Sequence, residues 1–437
     1  MEDLPLYEPP THPAALPEPI PDYSPEPAPD EVRLIARRST QSSLTGVFTN
    51  AFGAATLVLL GQEDGAEIPS YGRQGTLKGT IILEKDTSSI CQVAVKLHGC
   101  LDVSTSDVGT SKTTTVNVVE TLWSSENASQ SCPDRLEFAL TLPKMFKHGD
   151  DEHPLPPSYQ SRFTGMPFIT AQSTYALEIV ISKGRRKLGI LPNTKRLQQR
   201  IEYRPESCPP RPISSTPCSF TSIKTMPEEW YQSSFTMKQR RPQDNLFSHI
   251  HCQVFIPAVR IYGRADTIPV HIQLTGALAS LRCLVLLGPD SPPPDPTEPQ
   301  SKSPINIFIM RAVAVHNICK GTTTSRAQRV GTGLVRAAPP IVDFECSCTT
   351  NWALPCRGCC DEVVALDWEG EVSLGEQARE AVVGFVAGAL NVKDLITIEI
   401  TPPKAAKTCA SPLVPVQHGI PIRFVTQSYV QEDEPVF

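Results

Sequence analysis

The chain has 437 residues, enough for two or three domains with sizeable cores. Its 43 prolines disfavour a helix-dominated protein, because proline breaks helix interiors. A net charge of −6 gives no overall basic footprint for nucleic acid, and the apolar runs are too short to span a bilayer. We therefore expect a cytoplasmic protein without a nucleic-acid partner or a transmembrane segment, whose 14 cysteines are thiols.

The first 40 residues are acidic and proline-rich, and this composition predicts a disordered tail with polyproline II character. Short β-branched runs bounded by glycine, serine and aspartate then recur in two series, and such runs predict antiparallel β-sandwiches. The second series includes LRCLVLL, residues 281–287, which we predict to be a strand. The predicted plan is a tail (1–40), a first sandwich (41–205), a linker (206–227) and a second sandwich (228–437) with a proline-rich loop at 288–304.

Several motifs of the two series resemble those of a known family. They are AEIPSYGRQGTLKGTIILEK (66–85), ICQVAVKLHGCLDV (90–103), PLPPSYQ (154–160), FIPAVRIYGRADTIPVHIQLTG (255–276) and FVAGALNVKDLITIEITPP (385–403). In this order and spacing the chain resembles the fungal arrestin-like (α-arrestin) proteins of the arrestin superfamily. The resemblance covers residues from about 50 to 430 and implies an all-β fold of two tandem immunoglobulin-like β-sandwiches.

The resemblance also implies a function. Arrestin-like proteins are non-enzymatic adaptors without a cofactor, which bind membrane-protein cargo and can recruit a WW-domain ubiquitin ligase of the HECT type for endocytosis or sorting. We accordingly expect a location peripheral to the plasma membrane or to endosomes. An alternative within the same fold is a trafficking scaffold of the retromer type, which works independently of ubiquitin.

The stretch PLPPSYQ has two interpretations. Pro156, Pro157 and Tyr159 spell Pro-Pro-x-Tyr, a peptide that WW domains bind when it is exposed in the polyproline II conformation. In the arrestin family, however, the corresponding stretch begins a strand of the first sandwich. The resemblance therefore favours a structural role.

The tail offers two further candidate WW ligands of the form x-Pro-x-Tyr, in a setting predicted to be accessible. Their residues are Leu4, Pro5 and Tyr7 in the first motif and Ile20, Pro21 and Tyr23 in the second. In α-arrestins such motifs usually follow the second sandwich, whereas here they precede the first. The alternative is that a proline-rich tail with two tyrosines contains them by chance.

A basic cluster stands out between residues 183 and 204 of an otherwise acidic chain. Its candidate anion-binding residues are Lys183, Arg185, Arg186, Lys187, Lys195 and Arg196. Lysine and arginine side chains near a surface attract anionic lipid headgroups or phosphorylated cargo. The alternative is a solvated loop between two strands.

Five cysteines crowd residues 346–360, and four of them could supply thiolates to zinc. The candidate ligands are Cys346, Cys348, Cys356 and Cys359, although the seven residues between the pairs are fewer than in most zinc ribbons. A zinc- or cysteine-dependent enzyme is therefore a rival of another class. We find no nucleophile elbow, phosphate-binding glycine loop or His-Glu-x-x-His motif in the sequence.

Overall fold

A computed structural model of the chain describes residues 45–84, 87–107, 109–126, 130–184, 193–213, 220–241, 247–284, 304–317, 321–338, 363–402 and 411–429. The strands of the first half are β1 (Gly46–Ala51), β2 (Ala55–Gln62), β3 (Ser70–Tyr71), β4 (Thr76–Leu83), β5 (Ile90–Thr105), β6 (Gly109–Ser124), β7 (Arg135–Thr141), β8 (Met145–His148), β9 (Asp151–Pro154), β10 (Tyr159–Phe163), β11 (Ile169–Lys183) and β12 (Asn193–Tyr203). Those of the second half are β13 (Trp230–Met237), β14 (Ile250–Pro257), β15 (Ile261–Gly263), β16 (Thr267–Ala277), β17 (Ile305–Asn317), β18 (Thr322–Ala337), β19 (Val363–Leu374), β20 (Phe385–Ala387), β21 (Leu390–Ile400) and β22 (Val416–Val425). The helices within the described ranges are short: α1 (Phe220–Thr225), α2 (Leu278–Leu284), α3 (Glu376–Glu380) and the 3-10 turns Thr87–Ser89 and Pro227–Glu229.

The first half is a β-sandwich of two sheets. Strands β1-β2-β4-β7 form one sheet, and strands β3-β12-β11-β5-β6, with β10 paired to β11, form the other. The alternation of apolar residues decides which side of each strand faces inward, because successive side chains point to opposite faces. In β4, for example, Leu77, Ile81 and Leu83 are buried, whereas Lys78 between them is exposed.

The second half is a single ten-stranded sheet that curls around its own core. Its hydrogen-bonded order is β13-β14-β16-β19-β18-β17-β21-β22-β15, with β20 paired to β21. An isolated bridge between Gln239 and Leu413 links the segments that follow β13 and precede β22. The all-β fold of two tandem β-sandwiches is therefore confirmed, and in the second sandwich one continuous sheet curls over to enclose the core.

The two halves share a hydrophobic core. The first core cluster is built mainly from the N-terminal strands, but it also contains Val313 and Val315 of β17 together with Leu390 and Val392 of β21. Further along the same two strands, residues such as Ile307 and Ile398 belong to the second cluster. Strands β17 and β21 thus run through both cores and join the sandwiches.

The predicted strand at LRCLVLL is wrong over its described part. Residues 281–284 belong to helix α2, in which Leu278, Leu281 and Leu284 are buried at helical spacing. The hydroxyl of Ser280, on the same helix, accepts a hydrogen bond from the backbone N–H of Ser248 at 2.8 Å. An apolar run this short fits both periodicities, and tertiary packing here selects the helix. Helix α1 lies inside the segment 206–227 that we predicted as a linker, and the predicted domain boundaries stay a prediction.

Candidate functional site

The stretch PLPPSYQ is built into the first sandwich. Leu155, Pro156 and Pro157 are buried, and β10 begins at Tyr159, which pairs with Ser173 of β11. The backbone N–H of Leu155 donates to the carbonyl of Lys144 at 3.1 Å. The two prolines therefore pack into the fold, as the start of a strand does, and in this conformation they offer no face to a WW groove. WW binding through this stretch stays an untested prediction.

A buried tyrosine, Tyr175, anchors the stretch PLPPSYQ to the core. The hydroxyl of Tyr175 in β11 donates to the carbonyl of Pro156, and its ring packs at 69° against Tyr203, with centroids 5.7 Å apart. The ring has room because Gly99 lies under it: a Cβ atom at that position would be 2.7 Å from the ring. The Leu-x-Gly motif at residues 97–99 thus has a packing reason. Burial raises the pKa of Tyr175, so its hydroxyl keeps its proton.

Two hydrogen bonds complete the attachment. The backbone N–H of Ser158 donates to the carbonyl of Tyr203, and the N–H of Tyr203 donates to the hydroxyl of Ser158, both at 2.9 Å. The next residue, Tyr159, turns its ring toward the second half. It meets Phe385 edge-on with the centroids 5.1 Å apart, and burial raises the pKa of its hydroxyl.

A buried ion pair lies at the boundary between the two cores. Arg311 and Asp394 are direct partners across β17 and β21 and are exposed by only 4% and 1%. Arg311 Nε donates to Asp394 Oδ1 at 2.7 Å, its Nη2 to Oδ2 at 3.2 Å, and its Nη1 to the carbonyl of Val382 at 2.6 Å. Both charges are thus paired and hydrogen-bonded to fixed partners, as a charge buried in a protein core requires.

A cleft of about 1540 Å³ opens between the two halves. Its lining from the first half includes Leu60, Tyr71 and Tyr159, and its lining from the second half includes Arg264 and Arg379. Burial raises the pKa of Tyr71.

The segment that connects the halves contributes Arg204, Pro205 and Glu206 to the lining of this cleft. The N–H of Arg204 donates to the carbonyl of Tyr71 at 2.9 Å, and the N–H of Ser207 donates to the hydroxyl of Thr426 at 2.7 Å. The N–H of Gln427 donates back to the carbonyl of Ser207 at 3.0 Å. These bonds attach the connecting segment to both sandwiches, so the cleft has defined walls on each side.

The basic cluster falls partly within the described residues. Lys183 ends β11 and is half-buried, whereas Lys195 and Arg196 of β12 are exposed. Arg196 forms an ion pair with Glu178 at 3.1 Å, which neutralises one of the predicted anion-binding charges. Residues 185–187 lie outside the described residues, so anion binding by the cluster stays a prediction.

Two other predicted sites also fall outside the described ranges: both tail motifs, residues 4–7 and 20–23, and the four candidate zinc ligands between 346 and 359. Over the ranges that are described, no three His, Cys, Asp or Glu side chains are grouped closely enough to hold a metal ion. Nor does any helix of these ranges have the length and apolar character needed to cross a membrane.

Sequence reasoning missed the ion pair and the cleft. Arg311 and Asp394 are 83 positions apart, and the cleft joins residues from 60 to 427, so neither has a local motif. One signal was available for the pair. Each charge interrupts an alternating apolar strand at an inward-facing position, between Ile309 and Val313 and between Val392 and Ile396. A charge in such a position needs a partner.

Comparison with known proteins gives a distant likeness only. No family model and no curated protein matches the chain. Among solved structures the chain is similar to squid arrestin, at 9% identity and a TM-score of 0.36, over 89% of this chain and all of that one. Because a likeness this distant carries no argument about function, the fold assignment rests on the strand order and the cores.

Proposed function

We propose that the chain is a non-enzymatic, arrestin-like adaptor that binds membrane-protein cargo through its sandwich surfaces. The observation that carries the proposal is the shared core, in which Val313, Val315, Leu390 and Val392 of the second half pack against the first. A shared core holds two sandwiches in one arrangement, so that their outer faces and the cleft form one extended binding surface. The motifs that resemble α-arrestins support the same function.

The recruitment of a ligase belongs, in this proposal, to the tail. The burial of Pro156 and Pro157 supports this division, because a WW groove needs an extended peptide with free proline rings. The motifs around Tyr7 and Tyr23 lie in an acidic, proline-rich sequence of the kind that WW domains bind. The adaptor would then hold cargo on its sandwiches and a WW-domain HECT-type ligase on its tail.

Membrane proximity completes the proposal. An adaptor for membrane-protein cargo works at the cytoplasmic surface of the plasma membrane or of endosomes. The basic cluster of residues 183–204 supports an anionic surface as a partner, because each lysine or arginine close to such a membrane adds about 1 kcal/mol of attraction.

The test combines binding and proximity labelling on the full chain. Purified WW domains of HECT-type ligases should bind the wild-type chain and lose binding in the Tyr7→Ala, Tyr23→Ala double variant, because a WW ligand needs its tyrosine. Proximity labelling in cells should recover membrane proteins with both chains and the ligase with the wild type alone. Recovery of membrane proteins without any WW-dependent ligase would instead indicate the ubiquitin-independent scaffold.

The rival enzyme has a separate test. Metal analysis of the purified chain should find no stoichiometric zinc, and alanine variants of Cys356 and Cys359 should leave cargo recovery unchanged. Bound zinc that disappears with these substitutions, together with lost activity toward a substrate, would favour the enzyme.

A further inference from the structure

We propose that the proline-rich N-terminal segment, residues 1–31, folds back and docks in the cleft between the two halves. The place where the chain leaves the fold is the first reason. Strand β1 begins at Gly46, which pairs with Gln62, and the neighbours Leu60, Gly61 and Glu63 line the cleft. The chain therefore leaves the fold at the edge of the cleft.

The connection is long enough for docking. Residues 32–45 separate the segment from β1, and 14 residues span at most about 50 Å when extended. The segment is thus tethered close to the cleft, which raises its effective concentration there and favours an intramolecular contact over a contact with another copy.

Charge is the second reason. The segment holds eight aspartates and glutamates and neither lysine nor arginine. The cleft is lined by more basic than acidic side chains, in a protein that is acidic overall: Lys78, Arg200, Arg204, Arg264 and Arg379 against Glu63, Glu202, Glu206 and Glu380. The closest of these pairings, Arg200 and Arg204 on Glu202, places two cations on one carboxylate. A positive charge therefore remains for an incoming anion.

Two arginines on the second half are oriented as hydrogen-bond donors. Arg264 Nε donates to the carbonyl of Thr426 at 3.0 Å, and Arg379 Nε donates to the carbonyl of Leu374 at 3.2 Å. Each of these bonds fixes one edge of a guanidinium group. Within the described residues, the terminal nitrogens of the two arginines have no hydrogen-bond acceptor. They are available to a carboxylate or a backbone carbonyl, which arginine binds well.

The proline content of the N-terminal segment is the third reason. Ten of the 31 residues are prolines, and a polyproline II segment makes no internal hydrogen bonds, so all its carbonyls are free to accept. Proline rings pack on aromatic and aliphatic side chains, and the cleft offers the half-buried Tyr159 and Pro205. Leu60 at its edge is 50% exposed, and a docked segment would cover it.

A second segment of the chain also begins near the cleft. Residues 430–437 follow Thr426 and Gln427 of the lining, and they contain three acidic residues but one proline. The N-terminal segment matches both the charge and the apolar lining, and it is therefore the occupant we propose. Docking would cover Tyr7 and Tyr23 and so compete with WW domains; this consequence rests on the proposed function, whereas the docking itself does not.

The test is site-specific photocross-linking in the full chain. A photoreactive benzoyl-phenylalanine replaces Tyr23, and the cross-linked peptides are identified by mass spectrometry. We expect cross-links to residues 60–78, 200–206 and 379–383. Mixing with an isotope-labelled copy should show that the cross-link forms within one chain.

Charge reversal provides the matched comparison. Arg264→Glu with Arg379→Glu should lower the cross-link yield at least about fivefold, whereas Arg135→Glu, at an exposed position that is not part of the cleft lining, should leave it unchanged. Adding Glu18→Arg and Glu26→Arg to the double reversal should restore the yield. The rescue distinguishes a lost charge attraction from a folding defect. If the double reversal misfolded the cleft, charge changes in the N-terminal segment would not restore the cross-link yield.

Several outcomes would overturn the proposal. They are cross-links to another surface, cross-links only between copies, or a cross-link yield that changes with neither the charge reversal nor the rescue. Failure of the WW-domain function leaves a different pattern. WW binding would then be absent from wild type and variants alike, while the intramolecular cross-link persists.

Discussion

Replacing Asp394 by leucine removes one half of the buried ion pair and leaves the charge of Arg311 inside the protein. The guanidinium group loses two hydrogen bonds and keeps one, to the carbonyl of Val382, at a position where it is 4% exposed. A buried charge deprived of its partner costs about 3–5 kcal/mol. We expect Asp394→Leu to lower the free energy of unfolding by that amount, and Arg311→Met to have a cost of similar size.

The double variant should lose less unfolding free energy than the sum of the losses in the two single variants. With both charges replaced by apolar side chains there is no uncompensated ion, and such replacements are often neutral or stabilising. The carbonyl of Val382 still loses its donor, which costs about 1–3 kcal/mol. The expected result is a double variant within about 2 kcal/mol of wild type, and a coupling energy of about 3 kcal/mol or more.

The measurement is a double-mutant cycle by urea unfolding, followed by tryptophan fluorescence and by circular dichroism. The control cycle is the surface pair Arg196 and Glu178, whose side chains are 68% and 20% exposed at a distance of 3.1 Å. Its coupling energy should be below about 1 kcal/mol. Single variants of the buried pair that cost under 1 kcal/mol, or that simply add in the double variant, would refute the reasoning.

Three further changes test other parts of the molecule. Tyr159→Ala should lower the free energy of unfolding by on the order of 2–3 kcal/mol, since its half-buried ring packs on the second sandwich, and an unchanged urea midpoint would contradict this packing. Gly99→Ala should cost about 1–3 kcal/mol in a thermal melt, because the added methyl group would lie 2.7 Å from a buried tyrosine ring; a melting temperature equal to that of wild type would argue against the close contact. Reversal of Arg185, Arg186 and Lys187 to glutamate should abolish co-sedimentation with anionic liposomes at low salt, and binding that ignores both reversal and added salt would show that the cluster is a solvated loop.

Alternation along single strands made much of the fold predictable. Leu77, Ile81 and Leu83 of GTLKGTIILE face inward, as a period of two requires, and the same holds for the odd positions of β11 from Tyr175 to Ile181. Strand β18 was missed because its sequence, TTTSRAQRVGTGLVRA, is mostly polar. It forms because β17 and β19 pair with it on either side, which a local pattern cannot show.

The candidate site was less predictable, because its parts come from distant positions. The motif in PLPPSYQ fits both a WW ligand and the start of a strand, and only the family resemblance favoured the strand. In the structure the stretch is held by Tyr175, 19 positions beyond Pro156, whose carbonyl accepts the tyrosine hydroxyl. The cleft depends on how the two sandwiches meet, and that depends on strands β17 and β21. Residue propensities and motif spacing do not show how one sandwich packs on the other.

The sharing of β17 and β21 between two cores also affects the order in which the protein assembles during synthesis. In a chain of independent domains, the N-terminal one finishes folding while the rest is still being translated. Here the first sandwich lacks part of its interior until Val313, Val315, Leu390 and Val392 have emerged from the ribosome, long after residues 41–205 have been synthesised. A nascent chain that stops after the first sandwich therefore carries an uncovered apolar face, which makes it a client for chaperones, and expression of residues 41–205 alone should yield aggregates rather than a folded fragment.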